Sequence, residues 1–246
     1  MTAVLVIAGT DSSGGAGLTR DVATLTHFGV AALTAVTAVT AQTDREVTMV
    51  ELLPPRLVRA QIDAALMSAT VRAIKTGMLG SRAIVEAVAA GLPPRERVPL
   101  VLDPVLAASA GAELLDCPGR AALRALLLPR ATLLTPNIPE AAALLGAAPA
   151  TSIAEIVFQG RALCALGPAA VLMKGGHAAG AVATDWLISR EGEVREFSAP
   201  RSARQQRGTG CALAAAIAAG LAGGLALDAA CARAKEHVTA LLQAPA

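Results

Sequence analysis

The sequence predicts an α/β fold built on a mostly parallel central sheet. Two observations carry this. Short apolar, often β-branched runs alternate with longer helical patterns along the chain. The runs also end in glycine or polar punctuation that leads into the next helix, as at Gly9-Thr10-Asp11, Asp103-Pro104 and Thr135-Pro136-Asn137. Parallel neighbours need such crossovers, and ligands then collect at the carboxyl ends of the strands.

The elements follow in order. Residues 4–8 read as a first strand, followed by the glycine-rich loop 12–17 and a helix over about 18–28. Residues 31–41 are apolar and β-branched, a second strand, and Pro54-Pro55 opens a helix through about residue 68. A short strand at 73–76 ends at Gly77-Met78-Leu79-Gly80, a helix runs through residue 90, and 99–102 is a strand. Next come a helix around 119–128, a strand at 132–134, a helix from Pro139-Glu140 and another over about 153–166. Residues 170–174 form a strand ending in Gly175-Gly176-His177, and 184–188 and 193–197 pair around the turn signal Glu191-Gly192. One or two final helices follow the turn at 208–211. No repeat or linker interrupts residues 1–246, which read as one domain.

Composition excludes several function classes. Apolar residues make up 54%, aromatics only 2%, and there is no Tyr, so stacking platforms for single-stranded nucleic acid are absent. A formal net charge of +2 is too small to direct the chain to nucleic acid. Cys117, Cys164, Cys211 and Cys231 are too far apart for a zinc or redox motif. The apolar run 211–227 is broken by Gly220, Gly223 and Gly224, which disfavours a membrane span. Met1-Thr2-Ala3 carries no positive side chain and the run after it is short. A cytoplasmic protein with reduced thiols is therefore expected.

The stretch Arg207-Gly208-Thr209-Gly210-Cys211 carries the most chemistry. Two glycines allow a sharp turn into an Ala-rich helix, aiming the N–H groups of Gly208, Thr209 and Gly210 at one point, an anion hole at the positive end of the helix. The same field is expected to favour the thiolate of Cys211. Lys174, at a strand end, reads either as a point charge for phosphate or as a solvated lysine. Asp103 and Glu140 are hard oxygen donors suited to Mg²⁺, though Glu140 equally suits the first turn of a helix. Arg201, Arg204 and Arg207 lead into the turn, either as a phosphate clamp or as a solvated basic loop; His177 reads as structural or surface.

Taken in order, several segments resemble the hydroxymethylpyrimidine/phosphomethylpyrimidine kinases of thiamine biosynthesis, within the ribokinase-like superfamily. They are Ala8-Gly9-Thr10-Asp11-Ser12-Ser13-Gly14-Gly15-Ala16-Gly17, Asp21, Thr40-Ala41-Gln42, Gly77-Met78-Leu79, Val101-Leu102-Asp103-Pro104-Val105, Leu134-Thr135-Pro136-Asn137-Ile138-Pro139-Glu140-Ala141, Val171-Leu172-Met173-Lys174-Gly175-Gly176-His177 and Gly208-Thr209-Gly210-Cys211. The resemblance implies a ribokinase-like three-layer αβα sandwich without a separate lid domain. It implies ATP-dependent phosphorylation of 4-amino-5-hydroxymethyl-2-methylpyrimidine to the monophosphate and then the pyrophosphate, with Mg²⁺, in a homodimer. By position, Gly9, Asp21, Gln42 and Met78 serve the pyrimidine, Asn137 and Lys174 the nucleotide phosphates, Asp103 and Glu140 the metal, and Cys211 the acceptor proton. Two segments depart from the family pattern: Gln205-Gln206-Arg207 stands in place of Asn-Thr-His, and Thr43-Asp44-Arg45-Glu46 in place of Asn-Thr-Arg-Gly. A pyridoxal or pyridoxine kinase of the same superfamily and a non-catalytic pyrimidine-binding protein are the alternatives.

Overall fold

The computed structural model describes residues 2–108, 111–176, 180–202, 204 and 206–243. Among the described residues nine strands form one sheet: β1 (Ala3–Asp11), β2 (Ala31–Gln42), β3 (Val47–Leu52), β4 (Val71–Thr76), β5 (Leu100–Leu102), β6 (Leu133–Leu134), β7 (Ala170–Lys174), β8 (Val182–Ser189) and β9 (Val194–Pro200). Their spatial order is β3-β2-β1-β4-β5-β6-β7-β8-β9. From β2 to β7 all neighbours are parallel, while β3, β8 and β9 pair antiparallel at the two edges. The expected mostly parallel sheet is present.

Period-two alternation sends each strand's side chains to two cores. In β1, Val4, Val6 and Ala8 join a core with α1 (Gly17–His27), α7 (Thr209–Ala222) and α8 (Leu227–Gln243). Leu5 and Ile7 join the opposite core, closed by α2 (Pro55–Ser68), α3 (Arg82–Gly91), α4 (Cys117–Ala122), α5 (Ile138–Leu145) and α6 (Ile153–Ala165). These are the three layers of an αβα sandwich.

Two elements differ from the sequence reading. β3 lies where no strand is expected, because an outer edge strand exposed along almost its whole length lacks a continuous apolar run. Its register comes from a tight turn: Thr43 N–H donates to the Glu46 carbonyl at 2.9 Å, and Thr43 Oγ1 accepts from the N–H groups of Arg45 and Glu46, both at 3.2 Å. The helix expected at 119–128 starts two residues earlier, where Asp116 caps it by accepting the Gly119 N–H at 2.6 Å. It then widens to a π-helical segment, Leu123–Leu127, and tightens to a 3-10 turn at Leu128–Arg130, where Pro129 cannot continue an α-helix.

The chain leaves β1 toward β2 on one side, then crosses back to β4, β5, β6 and β7 on the other. The carboxyl ends of β1 and β4 therefore flank the point where the winding reverses, and a crevice opens there. Among the described residues no helix is long and apolar enough to cross a membrane.

Candidate active site

A cleft of about 1830 Å³ runs along this edge of the sheet. Gly9, Gln42, Met78, Asp103, Asn137, Glu140, Lys174, Gly208, Thr209, Gly210 and Cys211 all contribute to its wall. His177 lies outside the described residues.

Over β5 and β7 the wall sets one lysine against two carboxylates. The Lys174 Nζ is 2.8 Å from Asp103 Oδ1 and 3.8 Å from Glu140 Oε2. Burial opposes the charged amine, but Asp103 and Glu140 outweigh it and hold Lys174 above its ordinary pKa. Glu140 is itself raised, first by burial and then by the like charge of Asp103, against the pull of Lys174. Asn137 and Glu140 form a capping box at the start of α5: Glu140 N–H donates to Asn137 Oδ1 at 2.7 Å and Asn137 N–H to Glu140 Oε2 at 2.8 Å. Glu140 is thus both the first-turn helix residue and a wall of the cleft.

α7 begins at Thr209 with Gly208 as its N-cap, and no side chain caps it. Gly208 sits at φ 74°, and a Cβ there would come within 2.2 Å of the Gly15 carbonyl oxygen, so only glycine makes this turn. A Cβ on Gly210 would lie 3.3 Å from Lys174 Nζ, which puts the ammonium against the opening of the helix. The helix terminus and the lysine converge on one spot, the geometry of an anion site.

Between the two ends of the cleft lies a feature the sequence reading missed. Lys75 on β4 is wholly buried and its Nζ is 2.7 Å from Oδ2 of Asp21, equally buried on α1. Asp21 therefore sits behind the cleft wall rather than in it. Its Oδ1 has no hydrogen-bond partner among the described residues. Burial raises the Asp21 carboxyl to about 6 even though Lys75 pulls it down. For Lys75, burial acts against the charge, but Asp21, Cys211 and Asp103 hold it up. The signal was present: Leu18, Asp21 and Leu25 share the buried stripe of α1, and Lys75 shares the strand face of Ala73, so two charged residues stand at core positions facing each other.

Cys211, in the first turn of α7, departs from its expected state. Burial pushes its thiol up to about 11; Lys75 acts the other way, while Asp21 and Asp103 add to the rise. Loss of water outweighs the favourable field of the helix, and the resting group is a thiol.

Over β1 and β2 the cleft is lined by Gly9, Thr10, Asp11, Thr40 and Gln42. Gly9 leaves room for Met78, whose sulfur would be 3.0 Å from a Cβ there. Thr37 Oγ1 donates to the Met78 carbonyl at 2.6 Å and fixes that loop. Ser12 Oγ donates to the Gln42 carbonyl at 3.0 Å and accepts the Gln42 N–H at 2.9 Å. Arg201, Arg204 and Arg207, the three arginines before the turn, all line the cleft. Arg207 pairs with Asp11 at 3.0 Å. Arg201 donates to the backbone carbonyls of Gly180 at 2.7 Å and Val182 at 3.0 Å, and also to that of Gly176.

Comparison with known proteins adds the family to this geometry. A family profile described as phosphomethylpyrimidine kinase matches residues 11–246. The chain belongs to the phosphomethylpyrimidine kinase family. It is 46% identical over 214 residues to the hydroxymethylpyrimidine/phosphomethylpyrimidine kinase of Escherichia coli strain K12, covering 87% of this chain and 80% of the relative. A crystal structure of phosphomethylpyrimidine kinase from Clostridium difficile 630 superposes with a TM-score of 0.85 at 33% identity, over 98% of this chain and 100% of that one. The pyridoxal kinase of Staphylococcus aureus in complex with AMP-PCP and pyridoxal gives a TM-score of 0.85 at 29% identity, over 96% of this chain and 85% of that one. The backbone is thus shared with pyridoxal kinases, and the two phosphomethylpyrimidine kinases, at 46% and 33% identity, are more alike to this chain in sequence than this pyridoxal kinase at 29%.

Proposed function

We propose that this chain phosphorylates 4-amino-5-hydroxymethyl-2-methylpyrimidine with ATP, and then the resulting monophosphate, as a step of thiamine biosynthesis. The observation that carries this reading is the convergence of Lys174, the uncapped start of α7 and Cys211 in one cleft of a phosphomethylpyrimidine kinase. The nucleotide phosphates lie over β5 and β7, with the γ-phosphoryl group between Lys174 and the N–H groups of Gly208, Thr209 and Gly210. Asn137 borders the phosphates. The pyrimidine lies over β1 and β2 against Gly9 and Met78, with Gln42 reading its amino edge and Asp21 behind that wall, paired with Lys75. The hydroxymethyl oxygen then faces the phosphorus in line, and positioning and electrostatics do most of the work.

Cys211 takes the hydroxymethyl proton. Its high pKa means that a small ionised fraction is competent, and the Lys75 ammonium favours that fraction. The second transfer has a phosphate as acceptor and needs no such base.

The donor chemistry fits Mg²⁺. Asp103 is a buried carboxylate and Glu140 a partly buried one, and both side-chain bonds to Asp103 fall on Oδ1. No group of three or more His, Cys, Asp and Glu side chains that could hold a metal occurs among the described residues. Asp103 and Glu140 would hold it, and it would offset phosphate charge.

The same reading takes residues 1–246 as one kinase domain working as a cytoplasmic homodimer. The single continuous sheet supports the first part, and the exposed apolar residues Met49, Val50 and Leu52 of edge strand β3 support the second. Comparing kcat/KM on hydroxymethylpyrimidine and on pyridoxal tests the substrate. A preference for the pyrimidine is expected, and a preference for pyridoxal would reverse the assignment.

A further inference from the structure

Arg207 stands where the family pattern has histidine, and its side chain is only 17% exposed. Its guanidinium reaches four acceptors. Nη2 donates to Asp11 Oδ2 at 3.0 Å. Nη1 donates to the Thr43 carbonyl at 2.6 Å, to Ser13 Oγ at 3.2 Å and to Asp44 Oδ1 at 3.2 Å. Asp11 ends β1 and Ser13 belongs to the glycine-rich loop, while Thr43 and Asp44 form the turn after β2. One side chain, on the segment that starts α7, therefore ties together two loops that are otherwise joined at Ser12 and Gln42.

We propose that Arg207 is the positioning residue that closes the acceptor end of the cleft and fixes Gln42 as its specificity determinant. This rests on the acceptor-site reading given above. Gln42 is the last residue of β2, and its backbone is held by the Ser12 hydroxyl. The residues just beyond each partner, Ser13 and Thr43, are both held by Arg207. A planar guanidinium serves this set of acceptors in fixed directions, which an ammonium on a flexible stem does not. Asp11 makes the link firm. It is 3% exposed, its Oδ1 accepts from Ser13 N–H and Oγ at 2.9 and 2.8 Å, and its Oδ2 faces Arg207. Removing the guanidinium leaves that carboxylate nearly buried without a counter-ion, so the two loops part to admit water. Asp44, 87% exposed, adds little. A side chain that reads a ring edge by hydrogen bonds discriminates well only when it is held in place before the ligand arrives.

The test uses the full chain with Arg207→Met, Arg207→Lys, Gln42→Ala and the double variant Gln42→Ala/Arg207→Met. In Arg207→Met, KM for hydroxymethylpyrimidine is expected to rise roughly tenfold, while KM for ATP and kcat stay within about twofold. Arg207→Lys keeps the charge and the fold but loses most of the bonds, and is expected to raise the same KM. The double variant is expected to match Gln42→Ala alone, because Arg207 acts through Gln42. An unchanged KM for the pyrimidine, an equal rise in KM for ATP, or multiplicative effects in the double variant would overturn the proposal. If the wild-type chain turned over no hydroxymethylpyrimidine, the functional reading would fall and hydrogen exchange would decide this one. Faster exchange over 13–15 and 43–46 in Arg207→Met supports the cross-link, and unchanged exchange refutes it.

Discussion

Lys75 and Asp21 are a buried charge pair whose halves need each other. Asp21→Asn leaves an ammonium in the core and Lys75→Met leaves a carboxylate, and each is expected to destabilise the fold by about 3–5 kcal/mol. The double variant is expected to recover much of that loss, so urea denaturation of all three is the check. Cys211 makes a second prediction at this scale. With its thiol at about 11, the thiolate fraction rises about tenfold per pH unit across neutral and mildly alkaline pH. The rate of the first phosphorylation is therefore expected to climb with pH from 7 upward, and the second to stay flat. Cys211→Ala is expected to slow the first step roughly 100-fold while ATP binding, measured by calorimetry, is retained. The position of Cys211 was legible from Gly208 and Gly210, but its protonation state was not. The sequence shows the helix start and its field, whereas desolvation depends on what α1 and β4 place around the thiol.

Among the elements, α7 shows why the chain is so rich in alanine. Ala214, Ala216, Ala218 and Ala219 are buried between the sheet and α8, and a Cβ on Gly220 would come within 2.9 Å of the Ala230 Cβ. Small side chains let the two helices approach, which brings the start of α7 down onto Lys174. Ala218→Leu is expected to cost about 1–3 kcal/mol through overpacking, with a lower thermal midpoint in calorimetry. It is also expected to lower kcat, because it lifts the helix whose first turn forms the proposed anion site. Parallel strands buried on both faces announced themselves as apolar runs, so β1, β2, β4 and β7 were legible. β3 was not, because Thr48 and Glu51 break its apolar run and its pairing depends on the Thr43 turn. The π-helical segment at Leu123–Leu127 leaves no mark in the periodicity that separates it from an α-helix.

At the scale of the molecule, one topological fact organises the rest. The winding reverses beside β1, so the carboxyl ends of β1, β2 and β4 present Gly9, Gln42 and Met78 on one side, and β5 and β7 present Asp103 and Lys174 on the other. In the proposed reaction acceptor and donor meet under the N-terminus of α7. Each strand-end residue looked ambiguous alone in the sequence, and only their order made a site. Lys75 stayed hidden because its partner is 54 residues away, and Arg207 because its acceptors lie more than 160 residues away. The most direct test of the account is a phosphorus-resolved time course of the purified chain with ATP, Mg²⁺ and hydroxymethylpyrimidine. The monophosphate is expected first and the pyrophosphate after it, with ATP consumed at each step. Absence of any phosphorylated pyrimidine while ATP remains bound would contradict it.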